Sequence, residues 1–537
     1  MSSSSKRPEV FRYANFNVSA LCSLATQLRN GSLCDCDLSQ VPAGGSLNWA
    51  ISILFIDGVE WVLRSPREDG AVQCHETNST LLASEAATLK YIRANSTIPV
   101  PQVFAYSASR DNEIGVPYIL MSKASGFPLS CRWEIMTYKE KAKILDQLGA
   151  ITWQLSRLRF SHIGSLYEDE TGLHVKSCLS RGLLTHARHS LKHLNRGPFP
   201  VVADYFNALL SAFSEHAKYL PLRPHCLFAP VPLQSEYIDF PQYKGACDRW
   251  NDFVILGAKI DSSANRLDYT IAGDLLSKIL PEWLADIPDL HGGTPDSFPL
   301  HHPDINVNNI FVDDKYQITC LIDWAFSSTV PSSVLLTVPG LPQSRDELDQ
   351  PLAAAFEKGL KRVAYDALRP EELHEYHRLC QILQCSRLMW LFSRLLCFDS
   401  IADFKLFREI WRVMDPHRNL RQEFRLRQSF FNYRQLYEEI RQEDRTAEQI
   451  SCDEKNYFKN RSQLELSIAR KLTLVSDWSS RYGKPPSSRI RVNGDVFVAD
   501  KRLWLWIDTW LENLQRRADT SLLHVPHSTS SDEYIPH

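Results

Sequence analysis

A two-lobed α+β fold is predicted for this chain of 537 residues: a small mixed β-sheet lobe with one main helix, then a large, mainly helical lobe. Three observations predict it. Between residues 47 and 121, short strand patterns surround a single helical pattern. After Gly126-Phe127-Pro128 the apolar residues recur at helical spacing. Near residue 310 short strands return, wrapped around a loop rich in Asp and Asn.

Taken in order, residues 11–30 read as helical, with Leu21, Leu24, Ala25 and Leu28 giving Val18 to Leu28 an amphipathic face. Residues 47–64 read as two strands around Asp57-Gly58, a strong hairpin signal. A helix over 80–95, opened by Thr80, follows, with Leu81, Leu82, Glu85, Ala86 and Leu89 at helical spacing. Strands at 102–107 and 116–121 complete the small sheet, and Pro99 and Pro101 mark the approach to the first. In the second lobe, Ile144, Leu148, Ile151 and Leu155 predict a helix over 138–158, and 201–218 predicts another. The stretch 221–250 is rich in Pro, Tyr and Phe, with little period. Residues 376–398 predict one apolar helix, and 417–470 predict charged, solvated helices without a basic stripe. The domain boundaries expected are 1–40 for a leader and capping helix, 41–125 for the small lobe, 126–415 for the large lobe, 416–525 for a helical extension, and 526–537 for a disordered tail.

Bulk properties narrow the class. Hydrophobic content of 44% and charged content of 23% are ordinary for a globular protein. A formal net charge of −3 argues against a dominant nucleic-acid surface, and no apolar run reaches the roughly 20 residues of a membrane span. The 13 cysteines are scattered, which fits a reduced, cytoplasmic setting. Cys34-Asp35-Cys36 lacks the further ligands that a zinc site needs. Arg7, Arg12 and Arg29 in the first thirty residues leave a mitochondrial leader as the alternative, against which Glu9 counts.

The chemistry concentrates at His302-Pro303-Asp304-Ile305-Asn306-Val307-Asn308-Asn309, a His-x-Asp-x-x-x-x-Asn loop, and at Leu321-Ile322-Asp323-Trp324. Between them lie Ile310-Phe311-Val312, a turn at Asp313-Asp314-Lys315, and alternating Tyr316, Ile318, Cys320 and Ile322. That pattern predicts a hairpin whose second strand brings Asp323 back beside the loop. Phosphoryl transfer needs such groups: one carboxylate facing a hydroxyl, and an amide oxygen and a second carboxylate holding magnesium on phosphates. An Asn/Asp-rich turn is the competing account of the same residues.

At these residues the chain resembles the aminoglycoside phosphotransferase and choline kinase-like branch of the protein-kinase-like fold, which uses a pair such as Asp323-Trp324 where protein kinases use Asp-Phe-Gly. The resemblance extends over roughly residues 10–330. Gly44-Gly45-Ser46-Leu47-Asn48 is similar to the family's nucleotide-covering loop. Ser84 to Leu89 resembles the start of the helix that carries the paired Glu85. Tyr118 to Met121 resembles the approach to the hinge, and Phe160 to Tyr167 a segment of the fungal members.

The resemblance implies an ATP- and Mg2+-dependent transferase acting on a hydroxyl of a small-molecule acceptor. It implies Asp304 and His302 as catalytic, Asn309 and Asp323 as metal ligands, and Gly44, Gly45, Ser46, Asn48, Arg64, Glu85 and Met121 around the nucleotide. Of these, His302 is expected to pack and hydrogen-bond under the loop rather than move a proton. Arg64 departs from the family, which places Lys there. Arg keeps the charge but is a planar fork, so the exchange bears on affinity and rate. It leaves a nucleotide-binding pseudo-enzyme as the alternative. A protein kinase is less expected, because no Ala-Pro-Glu follows Asp323.

Overall fold

The computed structural model describes residues 7–68, 74–222, 225–228, 231–287, 297–400 and 402–482, and a few positions between 505 and 516. The expected tail at 526–537 and the leader's first six residues lie outside the described residues. The chain divides into two compact units. One comprises Met1–Pro221, Thr270–Ser400 and Leu406–Pro416, and the other Leu222–Tyr269, Ile401–Lys405 and His417–His537.

The first unit is α+β: an antiparallel β-sheet lobe with one main helix, then a larger, mainly helical lobe. Its small lobe opens with α1 (Val18–Leu28), which starts where the Asn17 side chain accepts the Ala20 N–H at 3.1 Å. The helix expected from residue 11 therefore begins at 18, after a single 3-10 turn at Glu9–Phe11. Six strands follow: β1 (Cys34–Asp35), β2 (Ala43–Gly44), β3 (Asn48–Phe55), β4 (Glu60–Pro66), β5 (Val103–Ser107) and β6 (Tyr118–Ser122). They pair in the order β1-β3-β4-β6-β5, with β2 on β3. Every pairing is antiparallel, so the sheet is not mixed in direction. The β3–β4 hairpin turns at Gly58, whose φ of +83° suits a residue without Cβ. Alternate β3 and β4 residues, Trp49, Ile51, Ile53, Trp61 and Leu63, are buried against α1 residues such as Leu21 and Ala25.

Helix α2 (His75–Asn95) runs five residues further back than Thr80 suggests. The Thr80 hydroxyl donates to the Glu76 carbonyl at 2.7 Å, so it bonds back along the helix rather than capping it.

The large lobe starts at β7 (Phe127–Pro128) and α3 (Tyr138–Arg157), whose first turn is closed by a Thr137/Glu140 capping box. Next come β8 (Arg159–Phe160), β9 (Ser165–Asp169), β10 (Gly172–Lys176), α4 (Arg181–Leu184) and α5 (Val202–Tyr219). After α6 (Phe240–Leu256), which belongs to the second unit, α7 (Ser263–Asp286) runs from that unit into the first and leads to β11 (Phe298–His301), β12 (Ile310–Val312), β13 (Ile318–Leu321) and β14 (Ser328–Thr329). Then follow α8 (Ser332–Leu335), α9 (Gln350–Ala367), α10 (Leu373–Gln384) and α11 (Ser386–Leu396).

The single apolar helix expected over 376–398 is thus two, broken at Cys385, where the N–H turns to the Ile382 carbonyl three residues back. Helices α3 and α9 approach at Gly149 and Gly359. A Cβ on Gly149 would strike the Phe356 carbonyl, and one on Gly359 the Asp146 carbonyl.

The second unit holds α6 and four further helices, α13 (Leu420–Gln428), α14 (Phe431–Arg441), α15 (Ala447–Tyr457) and α16 (Gln463–Tyr482); α12 (Asp403–Met414) runs from this unit into the first. Trp250 and Phe253 of α6 pack with Ile468 and Leu472 of α16. The chain has 13 cysteines, and all are free. Among the described residues no helix is long and apolar enough to cross a membrane.

Candidate active site

The loop after β11 and the hairpin β12–β13 build the centre. Ile310 pairs with Leu321 and Phe311 with Cys320, and β7 covers the other edge of β12. Tyr316 is not on the second strand. Its φ is +56°, its N–H bonds the Asp313 carbonyl at 2.9 Å, and Asp313 takes the Lys315 and Gln317 N–H groups on its side chain. The turn is therefore longer than the sequence suggests, because Asp313 gathers it into an Asx-type knot. Asp323 still returns beside the loop: the Ile322 N–H donates to the Asn309 carbonyl at 3.0 Å.

Backbone contacts hold the loop. His302 is 3% exposed. Its Nδ1 accepts the Asp304 N–H at 3.1 Å, so its Nε2 carries the proton and donates to the Ile322 carbonyl at 3.0 Å. Burial lowers its pKa and keeps the ring neutral. The ring also meets Trp324 edge-on at 4.5 Å. Asn309 donates its amide to the Asp304 carbonyl at 3.0 Å, and Asn306 donates to the same oxygen at 3.2 Å. The Asp304 carboxylate is thereby left pointing from a fixed backbone, with its side chain 27% exposed.

Arg64 on β4 links the lobes. Its Nη2 pairs with Glu85 of α2 and its Nη1 with Asp323 Oδ1 at 3.1 Å. The second Glu85 oxygen accepts the Trp324 N–H at 3.1 Å. Glu85 is 3% exposed, so this buried carboxylate is bonded through both oxygens. Burial lowers the Arg64 pKa, and Asp323 opposes that shift. Asp323 itself sits at φ +62°, a left-handed conformation that Asp tolerates better than most residues.

The remaining expected residues lie as follows. Gly44 ends β2, and the Gly45 N–H donates to the Asn48 carbonyl at 2.8 Å, so 45–48 is a closed turn with Ser46 at its exposed tip. Leu47 in that turn packs against Leu81, Leu184 and Phe326. Met121 is buried in β6, paired with Val62 and Val103. The stretch 160–167 braces the segment after Asp323. The Gly164 N–H donates to Thr329 Oγ1 at 2.9 Å and the Ser165 hydroxyl to the Ser327 carbonyl at 2.9 Å.

Three residues were not foreseen. Arg181, at the start of α4, reaches Asp304 Oδ1 with Nη1 at 3.4 Å and Asp399 Oδ1 with Nη2 at 3.5 Å. Burial works against its charge, but Asp399 and Asp304 outweigh it and the pKa is raised. Arg394 of α11 lies nearby with Asp399. A cavity of about 160 Å³ opens beside His302, lined by Arg181, Arg394 and Asp399. No spacing rule connects residues 181, 394 and 399 to the motif at 302–309. Among the described residues, no group of three or more His, Cys, Asp or Glu side chains is placed to hold a metal ion.

No family model matches the chain. A subtelomeric hrmA-associated cluster protein of Aspergillus fumigatus is 28% identical over 310 residues, 55% of this chain and 58% of that relative's length. The chain thus spans a little over half the length of this relative. Among solved structures, a macrolide 2'-phosphotransferase from Brachybacterium faecium superposes with a TM-score of 0.34 and 16% identity, covering 74% of this chain and 99% of that one. An ethanolamine kinase of Plasmodium vivax gives 0.36 and 9%, covering 84% and 96%.

Proposed function

We propose that the chain is an ATP- and Mg2+-dependent phosphotransferase that moves the γ-phosphate to a hydroxyl of a small-molecule acceptor. One observation carries it: Asp304, Asn309 and Asp323 converge on one loop and its neighbouring strand, and Arg64 and Glu85 are tied to Asp323 and Trp324 by ion pair and hydrogen bond.

In this reading Asp304 orients the acceptor hydroxyl. The hydroxyl oxygen bonds to the γ-phosphorus, and the bond to the bridging β–γ oxygen breaks. ADP leaves with that electron pair, and the hydroxyl proton passes to Asp304. Arg64 directs its fork at the phosphates, held by Glu85. The turn around Gly44, Gly45, Ser46 and Asn48 covers the phosphates, and Met121 flanks the base. His302, with both ring nitrogens used by backbone, holds the loop in place.

Asn309 and Asp323 fit a hard divalent cation. Both offer oxygen, and the Asn309 amide nitrogen is already committed to the Asp304 carbonyl, which reserves its Oδ1 for another partner. A magnesium ion held there would neutralise charge on the β- and γ-phosphates. The cavity beside the loop, with room for a small molecule, supports a small acceptor rather than a peptide.

Titration calorimetry with ATP, with and without magnesium, on the wild type and Asp323→Asn tests this reading. ATP should bind the wild type more tightly with magnesium, and the variant should lose that gain. Wild-type affinity indifferent to magnesium would sink the assignment. A second reading, a nucleotide-binding pseudokinase scaffold, is favoured by one contact: Arg64 already sits on Asp323 Oδ1, the carboxylate that would take the metal.

A further inference from the structure

The cavity lined by His302, Pro303 and Ile305, whose Arg181 reaches Asp304, has walls of one character and charges of another. Ile151 of α3, Phe206 and Leu209 of α5, Val334 of α8 and Trp390 of α11 make its walls apolar. At about 160 Å³ it has room for on the order of ten water-sized groups. The charged side chains that line it are two arginines and one carboxylate, Asp399. Such a lining disfavours an acceptor carrying several positive charges.

Arg394 is the informative residue. It is 5% exposed, and its guanidinium stands over the Trp390 ring at 5.0 Å. Its Nη1 donates to the Ser344 carbonyl, and its Nη2 to the Asp399 carbonyl at 2.9 Å. Both partners are backbone oxygens. Among the described residues no carboxylate makes an ion pair with this guanidinium, and its Nε is buried without a partner. Arg181, which also lines the cavity, has a buried, unpartnered Nε, while its Nη atoms are spent on Asp304 and Asp399. A buried guanidinium without a counter-charge is costly, and proteins usually supply a partner. Burial lowers the Arg394 pKa, and the nearby Asp399 opposes that shift without making an ion pair with the guanidinium.

Resting on the phosphotransferase reading, we infer that the acceptor is an apolar-bodied alcohol carrying a carboxylate, which Arg394 takes as its missing counter-charge while the hydroxyl faces Asp304. The apolar walls cover the body of the acceptor. Arg181, fixed by two carboxylates, offers Nε to the acceptor and holds Asp304 toward it.

Binding tests this without requiring turnover. The full chain, saturated with ADP and magnesium, is titrated with 8-hydroxyoctanoate, 1,8-octanediol and 8-amino-1-octanol. The hydroxy acid should bind at least about tenfold more tightly than the amino alcohol, with the diol between them. Arg394→Met, which keeps the apolar volume, should erase the preference for the acid. Retained binding of ADP shows that this variant is folded. Equal affinities, or a preference for the amine, would overturn the inference while ADP binding leaves the phosphotransferase reading standing. Loss of magnesium-dependent nucleotide binding in the wild type would instead strike that reading itself. Acid binding unchanged in Arg394→Met would show that the carboxylate is not read by Arg394, and would also overturn the inference.

Discussion

Asp304 stands between two clusters of charge that are built differently. Toward the small lobe, Arg64, Glu85 and Asp323 form a closed set: the buried Glu85 uses both oxygens, on Arg64 and on the Trp324 N–H, and Arg64 uses one nitrogen on each carboxylate. On the cavity side, Arg394 is buried like Glu85, but its hydrogen bonds go only to backbone carbonyls. A closed set of charges can hold a geometry before any ligand arrives. An open one is completed by what binds. In the proposed reading, the closed set positions the phosphate donor and the open set selects the acceptor.

The largest effect is expected from breaking the closed set. Glu85→Ala leaves Arg64 and the Trp324 N–H without their partner, and removing one member of a buried pair typically costs about 3–5 kcal/mol. Chemical denaturation would measure it; a loss under about 1 kcal/mol would show that Glu85 is not the anchor.

Next in size is the coupling within the set. A double-mutant cycle of Arg64→Ala and Glu85→Ala, read by ATP affinity, should give an interaction of about 0.5–3 kcal/mol. Arg64→Lys should keep or raise activity, since a compact ammonium can still serve Glu85. Additive losses together with an inactive lysine variant would move the pseudokinase reading ahead. The open set should respond in the opposite sense. Arg394→Met exchanges an uncompensated buried cation for an apolar chain, so stability should hold within about 1 kcal/mol or rise. A loss of about 3 kcal/mol would mean that the Ser344 and Asp399 carbonyls depend on Arg394 as a structural tie.

The smallest effect concerns pH. The folded state depresses the His302 pKa below its ordinary value near 6.5. The neutral ring therefore contributes stability that is present above about pH 6.5 and is lost as pH falls toward the folded value, by at most about 1.4 kcal/mol per pH unit. His302→Asn should flatten that slope between about pH 6.5 and 5, measured by thermal unfolding across the range.

The closed set was legible in the sequence and the open set was not, for a physical reason. Asp304, Asn309 and Asp323 are tied by one loop and one hairpin, so their geometry is written in short spacings. Glu85 and Arg64 were picked out by the family resemblance, which placed them on a helix and a hairpin strand that the local patterns also predict. Arg181, Arg394 and Asp399 come from α4, α11 and the segment after it, and only the packing of the large lobe brings them together. Local exceptions misled in smaller ways. Thr80 looked like a cap but bonds backward, and Tyr316 fitted the strand period although Asp313 had already drawn it into the turn. The apolar run 376–398 carries no Pro or Gly to announce its break at Cys385.

The most direct test of the central claim is single-turnover transfer from γ-labelled ATP by the wild type and by Asp304→Ala, with magnesium and the hydroxy-acid, amino-alcohol, sugar and aminoglycoside acceptors in parallel. The wild type should label at least one acceptor. Asp304→Ala should still bind ATP with magnesium yet transfer at least about 10²-fold more slowly, the loss expected for a positioned acid or base. Transfer by Asp304→Ala within about tenfold of the wild type would contradict the account.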